Sequence, residues 1–260
     1  MEQQRIERLQ EARAYALEVS AVSRRFGALV AIEDIDLSVR AGEHHAILGS
    51  NGAGKTTLFN VITGDFPVSE GRIRLFGEDV TDAPVHDRIR RGLRRTYQIS
   101  LLFQGLSVFD NLYLATRGVT RGRFSLRRQS ASEGSHQDAD RLLHAVFLED
   151  ARDTRVAELS HGQQRQLEIG MALAGAPRLV LFDEPAAGLS PTERRDLVRI
   201  LTSLPSHIGF IIIEHDLDVA LRVADRVTMM HNGRIFMSGT PEEIENDQRV
   251  QELYLRGAHG

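Results

Sequence analysis

The chemistry of this chain centres on Gly49-Ser50-Asn51-Gly52-Ala53-Gly54-Lys55-Thr56-Thr57. The stretch follows an apolar run, His45-Ala46-Ile47-Leu48, that reads as a buried strand. It precedes Leu58-Phe59-Asn60-Val61-Ile62, which reads as the start of a helix. Strand, glycine-rich loop, lysine, hydroxyl and helix, in that order, make a phosphate cradle. Gly49, Gly52 and Gly54 let successive backbone N–H groups turn toward one anion, and the helix adds its positive dipole end. Ser50, Asn51, Ala53 and Thr57 are expected to lie against the same polyphosphate. Lys55 can reach the outer phosphates, and Thr56 is placed to hold Mg²⁺ through its hydroxyl. Of the 32 basic residues, Lys55 is the only lysine. A compact ammonium suits a crowded phosphate cradle better than a planar guanidinium.

Asp183 and Glu184 directly follow the apolar run Leu179-Val180-Leu181-Phe182. In a doubly wound sheet, the C-terminal ends of strands line the ligand crevice. Asp183 can therefore reach Mg²⁺, and Glu184 can orient, or take a proton from, an attacking water. His215 ends another apolar run, Phe210-Ile211-Ile212-Ile213, and can meet a γ-phosphate, hold the water, or serve structure alone. Gln98, at the exit of a predicted strand, can touch Mg²⁺ or the water through its amide, or pack the helices that follow. Phe26 can stack on a base or pack on a small sheet.

These side chains need strands that end together. Residues 17–22 alternate like a half-buried strand, 24–27 read as a turn, and 30–34 and 35–39 as two more short strands. The helix after the cradle is expected to reach about Thr63, with Gly64 as its stop. Residues 71–76 form another alternating strand, and 88–95 are a basic run. The segment 117–128 reads as a solvated arginine-rich loop, and 137–148 as an amphipathic helix. Residues from about 99 to 175 thus read as a mainly helical block inserted in an α/β chain. Pro191 opens a further helix. Residues 226–230 and 234–239, joined by Asn232-Gly233, read as a hairpin with a type I′ turn. A short helix over 241–245 and a polar tail follow.

At 260 residues the chain has room for one large α/β domain carrying an inserted subdomain. Three regions are expected: a polar helical extension over 1–16, a catalytic domain over 17–240, and a short helix and tail over 241–260. A net charge of −4 argues against bulk nucleic-acid binding. Without cysteine there is neither a disulfide framework nor a thiolate metal site. No apolar run approaches the length of a membrane span. The expectation is a cytoplasmic protein held at the inner face of the membrane by a partner.

With these residues in place, the chain resembles the ATP-binding-cassette (ABC) ATPases over about residues 17–239. The matching motifs are the Walker A stretch 49–57, Gln98 of the Q-loop, the signature Leu159-Ser160-His161-Gly162-Gln163, and the Walker B stretch 179–184. Ala187-Gly188-Leu189-Ser190 matches the D-loop and His215 the H-loop. The resemblance is finer to cassettes of branched-chain amino-acid importers and their urea or amide relatives. It rests on Gly162-Gln163-Gln164-Arg165-Gln166-Leu167-Glu168-Ile169, on Ala187-Gly188-Leu189-Ser190, and on Leu253-Tyr254-Leu255-Arg256-Gly257.

The resemblance implies a P-loop NTPase core with a small antiparallel β subdomain and an inserted helical subdomain. It implies an ATPase in which two cassettes close head to tail on two ATP molecules with Mg²⁺. Ser160, Gly162 and Gln163 of one cassette would meet the nucleotide held by Lys55 of the other. A membrane permease would dock on the helical block, and a solute-binding protein would act indirectly. Two positions depart from the pattern: His161 replaces the first signature glycine, and Ser190 stands where many cassettes carry aspartate. An exporter of lipids or drugs and a non-transport cassette are the alternatives. A guanine-reading switch is excluded, because its Asn-Lys-x-Asp motif needs a second lysine.

Overall fold

The structure is a computed structural model that describes residues 14–96, 102–119 and 128–257. Gln98, nearly all of the 1–16 extension, residues 120–127 of the arginine-rich segment and the last three residues lie outside that description.

The described residues open on two long strands where three short ones and an early turn were expected. β1 (Tyr15–Phe26) and β2 (Leu29–Arg40) pair antiparallel, from Tyr15 opposite Arg40 to Phe26 opposite Leu29. The turn lies at Gly27 and Ala28, so Arg24, Arg25 and Phe26 are strand residues. The apparent break near residue 34 is a bulge: Asp34 takes φ of 50° and its N–H donates to Ser23 Oγ at 3.0 Å. A bulge absorbs the irregular spacing without ending the strand.

β3 (His44–Leu48) enters a second sheet, and α1 (Lys55–Thr63) follows the glycine-rich loop. Gly64 closes α1 with φ of 85°, the left-handed stop read from the sequence. β4 (Glu70–Leu75) returns to pair with β1, and β5 (Glu78–Asp79) pairs with β4, giving the antiparallel order β2-β1-β4-β5. The basic run 88–95 divides between α2 (Val85–Arg90) and β6 (Leu93–Arg95). Arg88 is buried, and its guanidinium donates to the carbonyls of Ala83, Val61, Ile62 and Thr81.

Three helices then pack on one another: α3 (Val108–Val119), α4 (Arg128–Ala145) and α5 (His161–Ala172). α4 begins nine residues before the expected helix and ends earlier. The remaining elements alternate: β7 (Leu179–Asp183), α6 (Pro191–Thr202), β8 (Gly209–Glu214), α7 (Leu217–Val223), β9 (Arg226–His231), β10 (Arg234–Gly239), α8 (Pro241–Asn246) and α9 (Gln248–Gly257). Asn232 and Gly233 both take positive φ, as a type I′ hairpin turn requires.

The second sheet has the order β10-β9-β3-β8-β7-β6, parallel except for β10. Every residue of β7 and β8 is buried. Val180, Phe182, Phe210 and Ile212 face the core shared with α3–α7. Leu179, Leu181, Ile211 and Ile213 face the core shared with α1 and the antiparallel sheet. Coverage on both faces explains why these strands read as unbroken apolar runs.

Candidate functional site

The glycine-rich loop leaves β3 and turns into α1 at Gly54, whose φ is 99°. A Cβ there would fall 2.7 Å from Ile32 Cγ2 and 2.8 Å from the Ala31 carbonyl. The hairpin turn braces the loop, because Gly233 N–H donates to Ala53 O at 3.1 Å while Gly233 O accepts from Glu33 N–H at 2.8 Å. Lys55 is 5% exposed, and Nζ donates to Gly49 O at 2.6 Å and Ser50 O at 3.0 Å. Burial lowers the pKa of this ammonium, while Glu184, Asp183 and Glu214 oppose the shift.

The cavity above the loop is lined by Asn51, Gly52, Ala53, Gly54, Lys55, Thr56 and Thr57, by Glu184, by the hairpin turn and by Leu29, Val30 and Ala31. Gly49 and Ser50 supply the carbonyls beneath Lys55. Phe26 is not part of this lining. Its ring meets Phe66 edge-on at 5.3 Å, and the Arg24 guanidinium lies 4.4 Å from its centroid.

Asp183 ends β7 and is 1% exposed. Arg95 Nη2 donates to its Oδ2 at 2.7 Å, and Asp183 N–H donates to Thr96 Oγ1 at 3.3 Å. Oδ1 is buried and has no hydrogen-bond partner among the described residues. That orphaned oxygen, with the exposed Thr56 at the head of α1, suits Mg²⁺. The ion takes one or two protein oxygens plus phosphate oxygens, not a protein cage. No cluster of three or more His, Asp or Glu that could make such a cage occurs among the described residues. Gln98 lies outside the described residues.

Glu184 turns the chain sharply off the sheet, with φ of 46°. For a non-glycine residue such a value marks strain that the surroundings must hold. Its N–H donates to Ile213 O at 3.0 Å, and its carbonyl accepts from Arg165 Nη2 at 3.2 Å. Its carboxylate faces the cavity, with Oε2 4.0 Å from Nδ1 of the half-exposed His215. Beside them Glu214 is fully buried, and its Oε1 accepts the Ala186 N–H at 2.8 Å. Burial pushes its pKa up to about 7.

Ser160 caps α5 in a reciprocal box: Gln163 N–H donates to Ser160 Oγ at 3.2 Å, and Ser160 N–H donates to Gln163 Oε1 at 3.0 Å. The His161 side chain lies beside Gly188, its Nε2 3.3 Å from where a Cβ on that glycine would stand. Ser160, Gly162 and Gln163 line a second cavity with Phe147, Gln166, Glu193, Asp196 and Arg199. None of these residues lines the first cavity. Ser190 caps α6 in another reciprocal box with Glu193. Four participants were not singled out from the sequence: Arg95, Arg165, Glu193 and Glu214. The Ser190-Pro191-Thr192-Glu193 spacing is a capping-box signal that could have flagged Glu193.

The model of the family described as ABC transporter matches residues 32–187, more than half of the chain. The chain belongs to the ABC transporter family. Its fold is the P-loop ATP-binding cassette, and its enzymatic class is ATPase. This cassette is similar to BraF of Pseudomonas aeruginosa, a high-affinity branched-chain amino acid transport ATP-binding protein. The two are 35% identical over 92% of this chain and 97% of that protein. It is 36% identical, over 86% of its length and 90% of theirs, to LptB of Escherichia coli K12, a lipopolysaccharide export system ATP-binding protein. Among solved structures it resembles the ADP conformation of MJ1267, an ATP-binding cassette of an ABC transporter. The TM-score is 0.82 at 32% identity, covering 93% of this chain and 98% of that one.

Proposed function

We propose that the chain binds MgATP at its P-loop and that a second cassette, the same or homologous, completes the site head to tail. The pair would energise import of branched-chain amino acids, or of similar small solutes such as urea or amides, through a separate permease. One observation carries the dimer: the P-loop cavity and the signature cavity share no lining residue. One chain therefore offers a phosphate cradle and a helix N-terminus in separate cavities. Two chains can match each cradle with the other's helix, so that Ser160 and Gly162 of one meet the γ-phosphate held by Lys55 of the other.

In this reading Lys55 and the amides of residues 52–57 neutralise the phosphates. Thr56 and Asp183 would hold Mg²⁺, with Gln98 a further contact, and the ion would offset charge on the β- and γ-oxygens. Glu184 takes a proton from water as its oxygen attacks the γ-phosphorus. The bond to the bridging oxygen then breaks, releasing ADP and phosphate. His215 orients the water or the γ-phosphate. No helix among the described residues is long and apolar enough to cross a membrane. The location in this reading is peripheral, on the cytoplasmic face, through the permease, with a solute-binding protein acting indirectly.

Glu184→Gln is the test. The variant should bind MgATP, lose roughly a hundredfold or more in turnover, and accumulate as a dimer. Near-normal turnover would remove Glu184 from its role. The match to LptB supports a second reading, export of a lipid. A solute-binding-protein gene beside the permease genes would favour import, and its absence export.

A further inference from the structure

The N-terminus of α5 is already in contact with an anionic group of the same chain. Glu193 Oε1 accepts the Gly162 N–H at 2.9 Å and lies 3.5 Å from Ser160 Oγ. The other oxygen, Oε2, accepts the Ser190 N–H at 2.9 Å. The fit is close: a Cβ on Gly162 would stand 2.4 Å from Oε1 and 2.5 Å from Cγ of Glu193. One carboxylate thus serves as the capping partner of α6 and sits across the mouth of the signature helix.

We propose that Glu193 is a placeholder for phosphate, holding the Gly162 amide and the Ser160 hydroxyl until an incoming γ-phosphate displaces it. This rests on the proposed function, in which those two groups meet the phosphate across the dimer. One N–H cannot donate fully to two anions, and two anions at one helix end repel each other. Binding phosphate therefore requires Oε1 to leave Gly162. The bond from Ser190 to Oε2 lets the carboxylate pivot without uncapping α6, so the exchange moves one side chain and spares the helix. The arrangement couples the signature to the D-loop of its own chain: releasing Gly162 frees the side chain that α6 and Ser190 carry. The titratable and charged groups facing this carboxylate are His161 from α5 and, around the same cavity, Asp196 and Arg199 from α6.

Inorganic phosphate is the probe, read at the Gly162 backbone amide of the full-length protein by NMR, with the Gly54 amide as internal control. This measurement needs no dimer. Glu193→Gln keeps one side-chain oxygen to accept the Ser190 N–H, keeps the backbone N–H that donates to Ser190 Oγ, and removes the charge. Displacing a charge-assisted hydrogen bond weakens phosphate by about tenfold, so Glu193→Gln should respond at Gly162 to about tenfold less phosphate than the parent protein. Glu193→Ala should show the same gain and, unlike Glu193→Gln, a lowered melting temperature from the lost cap. The Gly54 response should be unchanged in both. If the Gly162 titration of Glu193→Gln matches the parent, or moves to higher phosphate, the placeholder role is overturned and Glu193 is a helix cap alone. Failure of the head-to-tail reading would appear elsewhere, as a Glu184→Gln protein that binds MgATP but stays monomeric.

Discussion

Arg95 and Asp183 form an ion pair of 2.7 Å with side chains only 7% and 1% exposed. Arg95 also donates through Nη1 to Asn60 Oδ1 at 2.5 Å and Asp65 Oδ2 at 3.2 Å, tying the end of β7 to α1 and the segment after it. The pair fixes one carboxylate oxygen and leaves the other facing away, buried. Removing one partner of such a pair strands a charge, at a cost of about 3–5 kcal/mol. Arg95→Ala should lose stability of that order in urea melts. It should also lower turnover, because the Asp183 carboxylate then loses the contact that fixes its orientation. Unchanged melts and rates would mean that the pair positions nothing.

The strands and loop that place Lys55, Asp183 and Glu184 were legible because their signals are local. β7 and β8 are unbroken apolar runs, the P-loop is one contiguous motif, and the hairpin is set by Asn232-Gly233. The groups that tie those elements together were not legible. Arg88 and Arg95 belong to a basic run that suggests solvated charge. Their partners lie on α1, on the segment after it and on β7, as much as 88 residues away. Sequence spacing does not show that a guanidinium will be buried on carbonyls or on a carboxylate. Glu193 was hidden for a related reason. Its capping box is visible in sequence, but its contact with Gly162 depends on how α5 and α6 pack.

Glu214 carries a pH dependence that can be worked out. Its carboxyl is raised from an ordinary 4.5 to about 7 by full burial, so the folded protein holds the proton more tightly than the unfolded chain. The stabilisation is complete below about pH 4.5 and is lost as the pH rises through about 7. The span corresponds to roughly 3 kcal/mol. Glu214→Gln removes that slope, so the variant should gain stability relative to the parent between these two pH values. Denaturant melts at several pH values measure it. Parallel stability curves for the two proteins would contradict the assignment.

Part of the lining of the P-loop cavity is hydrocarbon. Leu29 and Val30, 66% and 42% exposed, offer no hydrogen-bond pattern to a base, and the guanidinium of Arg24 already lies over the ring of Phe26. A triphosphate held on the P-loop would, by contrast, meet an ammonium and several amides, with charge-assisted contacts of roughly 1.5–3 kcal/mol each. Phosphate contacts should therefore set affinity. GTP should be hydrolysed with kcat/KM within about tenfold of ATP, since stacking contributes only about 0.5–1.5 kcal/mol and does so for either purine. A strict requirement for adenine in a steady-state comparison would point to a polar reader of the base.

Lys55 decides whether the cradle works, and the substitution that tests it best is the mildest in charge. Its Nζ is enclosed, 2.6 Å from one loop carbonyl and 3.0 Å from the next, in a loop held by Gly54 against Ile32 and by Gly233 against Ala53. An ammonium can leave those carbonyls and swing to a phosphate on its flexible stem. A guanidinium is planar and larger, and it cannot fold into the same space without opening the loop. Lys55→Arg should therefore weaken nucleotide binding nearly as much as Lys55→Ala, by roughly a hundredfold or more if two charge-assisted contacts are lost. Titration with a fluorescent ATP analogue measures both. The chain's other 31 basic residues are all arginine, so composition alone would predict arginine here as well. If Lys55→Arg binds nucleotide like the parent, the lysine reflects chance rather than the geometry of the loop.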